Sequence, residues 1–129
     1  HFPAEHLGYM NRLVSTQNYS AVTAACLLIK RDDFWAVDGL DEKNLTVAFN
    51  DVDLCLKVLQ LGRRNLYCAE ALLYHHESVS RGYEDTPVKA RRFQKEVSHL
   101  QTKWKYFIKY DPCYNKSLTL KKENFEIKT

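Results

Sequence analysis

The chain contains the stretch Ala48-Phe-Asn-Asp-Val-Asp-Leu-Cys-Leu-Lys57, in which an apolar segment leads into a predicted helix whose first turn carries Asp51 and Asp53. Further along, a second apolar segment leads to His75 and His76, and the polar loop 77–82 follows with two serines, an arginine and a glycine. Carboxylates and imidazoles at the ends of buried elements suit metal binding or proton transfer, and such a loop suits a phosphate. These two stretches together predict a functional site of one of these kinds.

Composition limits the possible architectures and partners. With 129 residues, of which 45% are apolar, the chain can build one hydrophobic core, and a second domain is not expected. A net charge of +3 is too small to indicate nucleic-acid binding. The basic residues concentrate toward the C-terminus, where a solvated helix face is the simpler interpretation and an anionic-surface patch the alternative. The sequence shows neither a signal peptide nor an apolar run of the roughly 18 residues that cross a bilayer.

The four cysteines predict neither a zinc site nor a disulfide framework. Cys26 and Cys55 lie within apolar runs, Cys68 ends another, and Cys113 lies in a turn-like segment, with no pair at CxxC spacing. This usage favours a reducing compartment.

The first two thirds of the chain have the pattern of an α/β protein. Residues 20–29 form an apolar run that predicts a strand buried on both faces, and a short helix should follow from about residue 30 to 37. Residues 45–49 read as a short extended piece. Asn50 or Asp51 is then the expected N-cap of a helix that ends at Gly62. Residues 65–69 and 71–74 predict short strands.

The last third is predicted to be helical and then irregular. After a polar loop over residues 75–87, one long amphipathic helix is expected from about residue 88 to 110, with an apolar stripe made by Phe93, Val97, Leu100, Trp104 and Phe107. Asp111-Pro112 should end this helix, and the tail 111–129 should have little regular structure.

Five ordered blocks of this sequence resemble the second half of a family 2 glycosyltransferase of GT-A fold. The blocks are Ala21-Val-Thr-Ala-Ala-Cys-Leu-Leu-Ile-Lys-Arg31, Val37-Asp-Gly-Leu-Asp-Glu42, Phe49-Asn-Asp-Val-Asp-Leu-Cys-Leu-Lys57, Glu70-Ala71 with His75-His-Glu-Ser-Val-Ser-Arg-Gly82, and the tail from Asp111 to Phe125. The closest similarity is to bacterial rhamnosyltransferase-like members that assemble cell-surface polysaccharides. The resemblance implies the C-terminal portion of a GT-A (nucleotide-diphospho-sugar transferase) fold, with a remnant of a mixed sheet and the long C-terminal helix.

The resemblance also implies roles for the residues at the start of the central helix. Asn50-Asp51 lies where these enzymes usually carry a Glu-Asp pair, so Asp51 is the expected general base of an inverting transfer, and Asn50 supports it. Asp53 is expected to orient the loop or to cap the helix. Thr23 and Ala24 match the acceptor side, with Ala24 where relatives often have glycine.

On the donor side, the resemblance implies that His75 joins the shell of a divalent cation, Mn²⁺ or Mg²⁺, on the donor diphosphate. Ser78, Ser80 and Arg81 correspond to a loop that contacts that diphosphate, whereas His76 is expected to be structural. The nucleotide-binding half that such enzymes place upstream has no counterpart in this sequence. We therefore expect residues 1–129 to be a single partial domain, inactive alone and without a bound cation, and open to self-association through an exposed strand edge.

The expected partners of the parent enzyme are a nucleotide-sugar donor, with rhamnose a candidate sugar, and a glycan or lipid-linked acceptor. Its expected location is the cytoplasm, including the inner face of the membrane. Two other interpretations stay open. One is a small metal-dependent hydrolase that uses Asp51, Asp53, His75 and His76 as ligands. The other is a non-catalytic module whose basic helix and tail dock on a partner or a membrane surface.

Overall fold

The computed structural model describes residues 5–74, 86–122 and 124–128. In chain order these residues form strand β1 (Gln17–Tyr19), helices α1 (Arg31–Ala36) and α2 (Asn50–Gln60), strand β2 (Asn65–Tyr67), and helices α3 (Pro87–Lys103) and α4 (Lys105–Lys109). Two 3-10 segments, Tyr9–Val14 and Ala24–Cys26, complete the regular structure. No helix within these ranges is both long and apolar enough to cross a membrane.

Helix α2 is the centre of the fold and ends as its sequence predicts. Most buried apolar side chains of the described residues belong to it or pack beside it: Leu45, Leu54, Cys55, Leu56, Val58 and Trp104. At its C-terminus, the N–H of Gly62 donates to Leu59 O (2.9 Å) and the N–H of Arg63 donates to Val58 O (3.2 Å). These two bonds form a Schellman motif, which requires the left-handed backbone that Gly62 adopts at φ 75°.

The start of α2 differs from the prediction. The N-cap is Phe49, in a left-handed conformation (φ 63°) and without a side-chain capping bond, while Asn50 and Asp51 already lie in the first turn. The capping prediction was therefore wrong for both residues. Their side chains are left for other contacts.

The predicted long helix is two helices. Helix α3 begins with Pro87 behind the N-cap Thr86, whose hydroxyl accepts from Lys89 N (3.3 Å). The helix breaks at Trp104 (φ −109°, ψ 21°), and α4 continues from there. Trp104 is the one buried member of the predicted apolar stripe, and the other four members are half-buried.

The sheet is smaller than predicted, with β1 and β2 paired antiparallel in the register Gln17–Tyr67, Asn18–Leu66 and Tyr19–Asn65. The expected buried strand over residues 20–29 does not form: the ladder with β2 stops at Tyr19, and no other strand among the described residues pairs with this segment. Its backbone is partly extended around the 3-10 turn Ala24–Cys26, and the Leu28 side chain is 100% exposed. Residues 45–49 and 71–74 likewise form no strand.

Candidate functional site

A cleft of about 260 Å³ opens between the 3-10 turn and the start of α2. Two short segments line it: Thr23, Ala24 and Ala25 on one side, and Val47, Phe49, Asn50 and Asp51 on the other. The structure thus brings together four residues that the sequence had singled out, Thr23, Ala24, Asn50 and Asp51. They come from segments that lie more than twenty residues apart in the chain.

Asp51 joins the two sides of this cleft. Its Oδ2 accepts a hydrogen bond from Ala24 N (3.1 Å), and its Oδ1 accepts one from Val52 N (2.8 Å). One turn further along α2, the Cys55 thiol donates to Val22 O (3.7 Å). Burial raises the pKa of the Cys55 thiol, so it stays a protonated donor. Asp51 and Cys55 lie on the same helix face, and together they hold the segment 22–24 against α2.

Asn65 adds a second tie between the same two segments. Its side-chain amide donates to Ser20 O and to Cys55 O, each at 3.0 Å. The segment before the 3-10 turn is thereby fixed to β2 and to α2 at once. The segment with Thr23 and Ala24 is thus held by individual hydrogen bonds and not by pairing in the sheet.

Glu96 of α3 holds the other side of the cleft. Its buried carboxylate accepts from Thr46 Oγ1 (2.8 Å), Val47 N (3.1 Å) and Ala48 N (3.0 Å). Burial by itself raises the pKa of the Glu96 carboxyl, but these hydrogen bonds and the charge of Arg92 outweigh it, so the pKa lies below its ordinary value. The loop before α2 is therefore anchored to an ionised side chain from a distant helix.

Phe49 lies between this anchored loop and the first turn of α2. Its ring contacts Phe93 of α3, with 5.5 Å between the ring centroids. A left-handed backbone costs a non-glycine residue on the order of 1 kcal/mol, and here the surrounding contacts offset that cost. The sharp turn at Phe49 directs the loop into the helix at the edge of the cleft.

Asp53 has a different environment, although it is only two residues from Asp51. It is fully buried, and its Oδ1 lies 2.6 Å from Trp104 Nε1 and 2.7 Å from Lys103 Nζ. Its Oδ2 lies 3.3 Å from Lys57 Nζ, which also donates to Gly39 O (2.7 Å). Asp53 therefore joins α2 to the α3–α4 junction, and the hydrolase interpretation that made it a metal ligand is wrong on this point.

The remaining predicted site residues lie outside the described part of the chain: His75, His76, Ser78, Ser80 and Arg81. Within the described part of the chain, no three His, Cys, Asp or Glu side chains are grouped so that they could hold a metal ion. Two lysines surround Asp53, and Asp51 is the remaining carboxylate at the cleft.

Sequence reasoning missed Glu96, and the sequence does hold a signal for it. On a helix, Glu96 lies three residues after Phe93 and four before Leu100, within the apolar stripe rather than opposite it. A charged residue inside such a stripe indicates a buried partner. The pattern cannot identify that partner, which here is the Thr46 hydroxyl with the backbone N–H groups of Val47 and Ala48.

The Asp51 carboxylate keeps acceptor capacity after its two backbone bonds. An ionised carboxylate offers about four lone-pair sites, and each oxygen of Asp51 accepts one backbone hydrogen bond here. A hydroxyl group entering the cleft can therefore donate to Asp51 without displacing either backbone N–H. The arrangement can take a proton from a bound hydroxyl.

Two known proteins are similar to this chain. Over 124 residues, 96% of the chain, it is 56% identical to "Uncharacterized protein y4gI" of Sinorhizobium fredii (strain NBRC 101917 / NGR234) and covers 14% of that protein. Over 113 residues, 81% of the chain, it is 34% identical to "O-antigen biosynthesis protein RfbC" of Myxococcus xanthus and covers 8% of it. The chain thus spans a small part of each relative. No protein-family model and no solved structure matches it.

Proposed function

We propose that this chain forms the acceptor side of an inverting glycosyltransferase that takes part in cell-surface polysaccharide synthesis. One observation carries the proposal. Asp51 lies at a cleft, and its carboxylate oxygens keep lone pairs that can accept a hydrogen bond from a hydroxyl. The chain is also 34% identical, over 81% of its length, to an O-antigen biosynthesis protein. The resemblance of the surrounding blocks to family 2 glycosyltransferases supports the same reading.

In the proposed reaction, an acceptor hydroxyl donates a hydrogen bond to Asp51 and attacks the anomeric carbon of the donor sugar. The new C–O bond forms as the bond from the anomeric carbon to the diphosphate breaks. The hydroxyl proton passes to the Asp51 carboxylate, and the nucleoside diphosphate leaves with the bonding electrons. Attack from the face opposite the leaving group inverts the configuration. A general base of this kind contributes typically 10²–10⁴-fold to a rate.

The other side chains of the cleft suit a sugar acceptor. Asn50 brings an amide that can donate to and accept from hydroxyls, and Thr23 brings a hydroxyl of its own. Phe49 contributes an aromatic ring at the same edge, against which the apolar face of a pyranose can pack. We propose a glycan or lipid-linked glycan as the acceptor class.

The donor is proposed to be a nucleotide-diphosphate sugar, with rhamnose a candidate. His75, Ser78, Ser80 and Arg81 are proposed to face its diphosphate, and the nucleotide itself to bind another part of the same protein. A divalent cation, Mn²⁺ or Mg²⁺, would neutralise charge on the leaving diphosphate when bound. The contribution assigned to the described residues is to orient the acceptor and to accept its proton.

The test is a transfer assay with the protein that contains this chain, supplied with labelled nucleotide-diphosphate sugars and a lipid-linked glycan fraction. We expect label in the glycan, dependence on added acceptor, and an anomeric configuration opposite to that of the donor. Release of free sugar at the same rate with and without acceptor would instead indicate a hydrolase. Retained configuration would contradict direct proton transfer to Asp51 in a single displacement.

A further inference from the structure

Helix α4 presents a cationic and aromatic surface that the proposed transfer reaction does not use. At roughly 100° per residue, Lys105, Lys109 and Tyr106 follow one another around one side of the helix, and Tyr110, which ends the helix, lies beside Tyr106. All four are exposed, with Tyr106 at 70% and Tyr110 at 55%. Phe107, on the opposite side, packs against Trp104 with 5.6 Å between ring centroids. The exposed side is therefore fixed by packing on the other side.

The two residue types on this surface contact each other. The rings of Tyr106 and Tyr110 lie 5.2 Å apart, and Lys109 Nζ lies 5.1 Å from the centroid of the Tyr110 ring. No acidic residue belongs to α4. Positive charges and phenol rings are thus interleaved on this exposed side of α4.

The segment that follows continues this character. Between residues 105 and 128 the sequence has six lysines (Lys105, Lys109, Lys116, Lys121, Lys122, Lys128) against three acidic residues (Asp111, Glu123, Glu126). Leu120 and Ile127, in the same segment, are exposed apolar side chains. Six positive charges minus three negative ones give this short segment the same net charge as the whole chain, +3.

We infer that α4 and the adjoining tail dock on the surface of an anionic phospholipid membrane. Lysines gain free energy near anionic headgroups, and tyrosines favour the interface because the ring is apolar and the hydroxyl is polar. Several separate exposed cations complement a plane of negative headgroups. This inference does not depend on the transfer reaction, because vesicle binding is measured without donor or acceptor.

The test is co-sedimentation of the full chain with vesicles of phosphatidylcholine alone or with one third phosphatidylglycerol. We expect binding to the anionic vesicles and little to the neutral ones, with a decrease as salt rises above about 0.15 M. Lys105→Gln/Lys109→Gln should weaken binding on the order of tenfold or more. Tyr106→Gln/Tyr110→Gln, which leaves the charge unchanged, should weaken it severalfold.

The matched control is Lys30→Gln/Arg64→Gln, which removes the same charge from exposed residues near α1 and the C-terminal end of α2. Binding of this variant should stay within about a factor of two of the unsubstituted chain. Equal weakening in the control, equal binding to neutral vesicles, or unchanged binding after either α4 double substitution would overturn the inference. So would binding to a soluble anionic polysaccharide without binding to anionic vesicles.

Discussion

At the residue scale, two aspartates of one helical turn have different tasks. Residues two apart on a helix face different directions, so Asp51 reaches the cleft and Asp53 points into the interior. The sequence predicted that both would lie at the start of a helix, and it favoured Asp51 as the base through the family resemblance. The lysines and the tryptophan that surround Asp53 could not be predicted, because two of these three come from about fifty residues further along the chain.

The first prediction concerns Asp53. Asp53→Ala should lower the free energy of unfolding by about 3–5 kcal/mol, since it leaves Lys103 and Lys57 without their buried counter-charge. Urea denaturation followed by tryptophan fluorescence measures this change. The control Asp32→Ala, at an exposed position in the first turn of α1, should cost no more than about 1 kcal/mol. Equal losses in the two variants would contradict the structural role of Asp53.

A second prediction uses the pH dependence of Glu96. The pKa of the Glu96 carboxyl is lowered on folding. Its contribution to stability is therefore fully present at pH values above the ordinary pKa of 4.5, and it is lost as the pH falls through the lower pKa of the folded chain. Glu96→Gln should therefore be less stable than the unsubstituted chain at neutral pH, and the difference should shrink in acid. Urea midpoints measured from neutral pH down to acid check this. Glu42→Gln, at an exposed turn position, should show no such convergence.

At the element scale, local signals predicted the regions of the main helices and, among the strands, β2 at Asn65–Tyr67, but they failed for β1 and for the other expected strands. Capping and periodicity act within a few residues. They indicate the region of α1, the end of α2 at Gly62 and the start of α3 at Pro87. A strand instead needs a partner in space, so the apolar run 20–29 could not be assigned from its own residues. The break at Trp104 also escaped prediction, because the indole contact with Asp53 is long-range.

The Schellman motif at the end of α2 gives a third prediction. Gly62→Ala should destabilise the chain by about 1 kcal/mol, because alanine disfavours the left-handed backbone at φ 75°. No other atom lies within 4 Å of a Cβ added there, so the cost is conformational and not steric. Gly62→Asn is the comparison, since asparagine tolerates this conformation better and should lose less stability in the same urea experiment. An alanine variant as stable as the asparagine variant would show that the left-handed backbone at residue 62 is not the cause of the loss.

At the scale of the whole molecule, the cleft is assembled by long-range polar ties. Three hydrogen-bonded contacts connect segments that are distant in sequence: Asp51 with Ala24, Asn65 with Ser20, and Glu96 with the loop 46–48. The family resemblance singled out Thr23, Ala24, Asn50 and Asp51, and the structure brings these four residues together at one cleft, while their roles remain predictions. The donor-side predictions, from His75 to Arg81, remain predictions. The chain covers 14% and 8% of its two relatives, so the activity of the whole protein is a proposal.

Asp51 is proposed to take the proton of the acceptor hydroxyl, and one substitution tests this role. In the protein that contains this chain, Asp51→Asn should lower the transfer rate on the order of a hundredfold or more while the dissociation constant of the nucleotide-sugar donor stays unchanged. Asp38→Asn is the matched control, because this exposed turn residue has the left-handed backbone that asparagine tolerates. We predict loss of transfer in Asp51→Asn alone; transfer by that variant at the rate of the control would contradict the account.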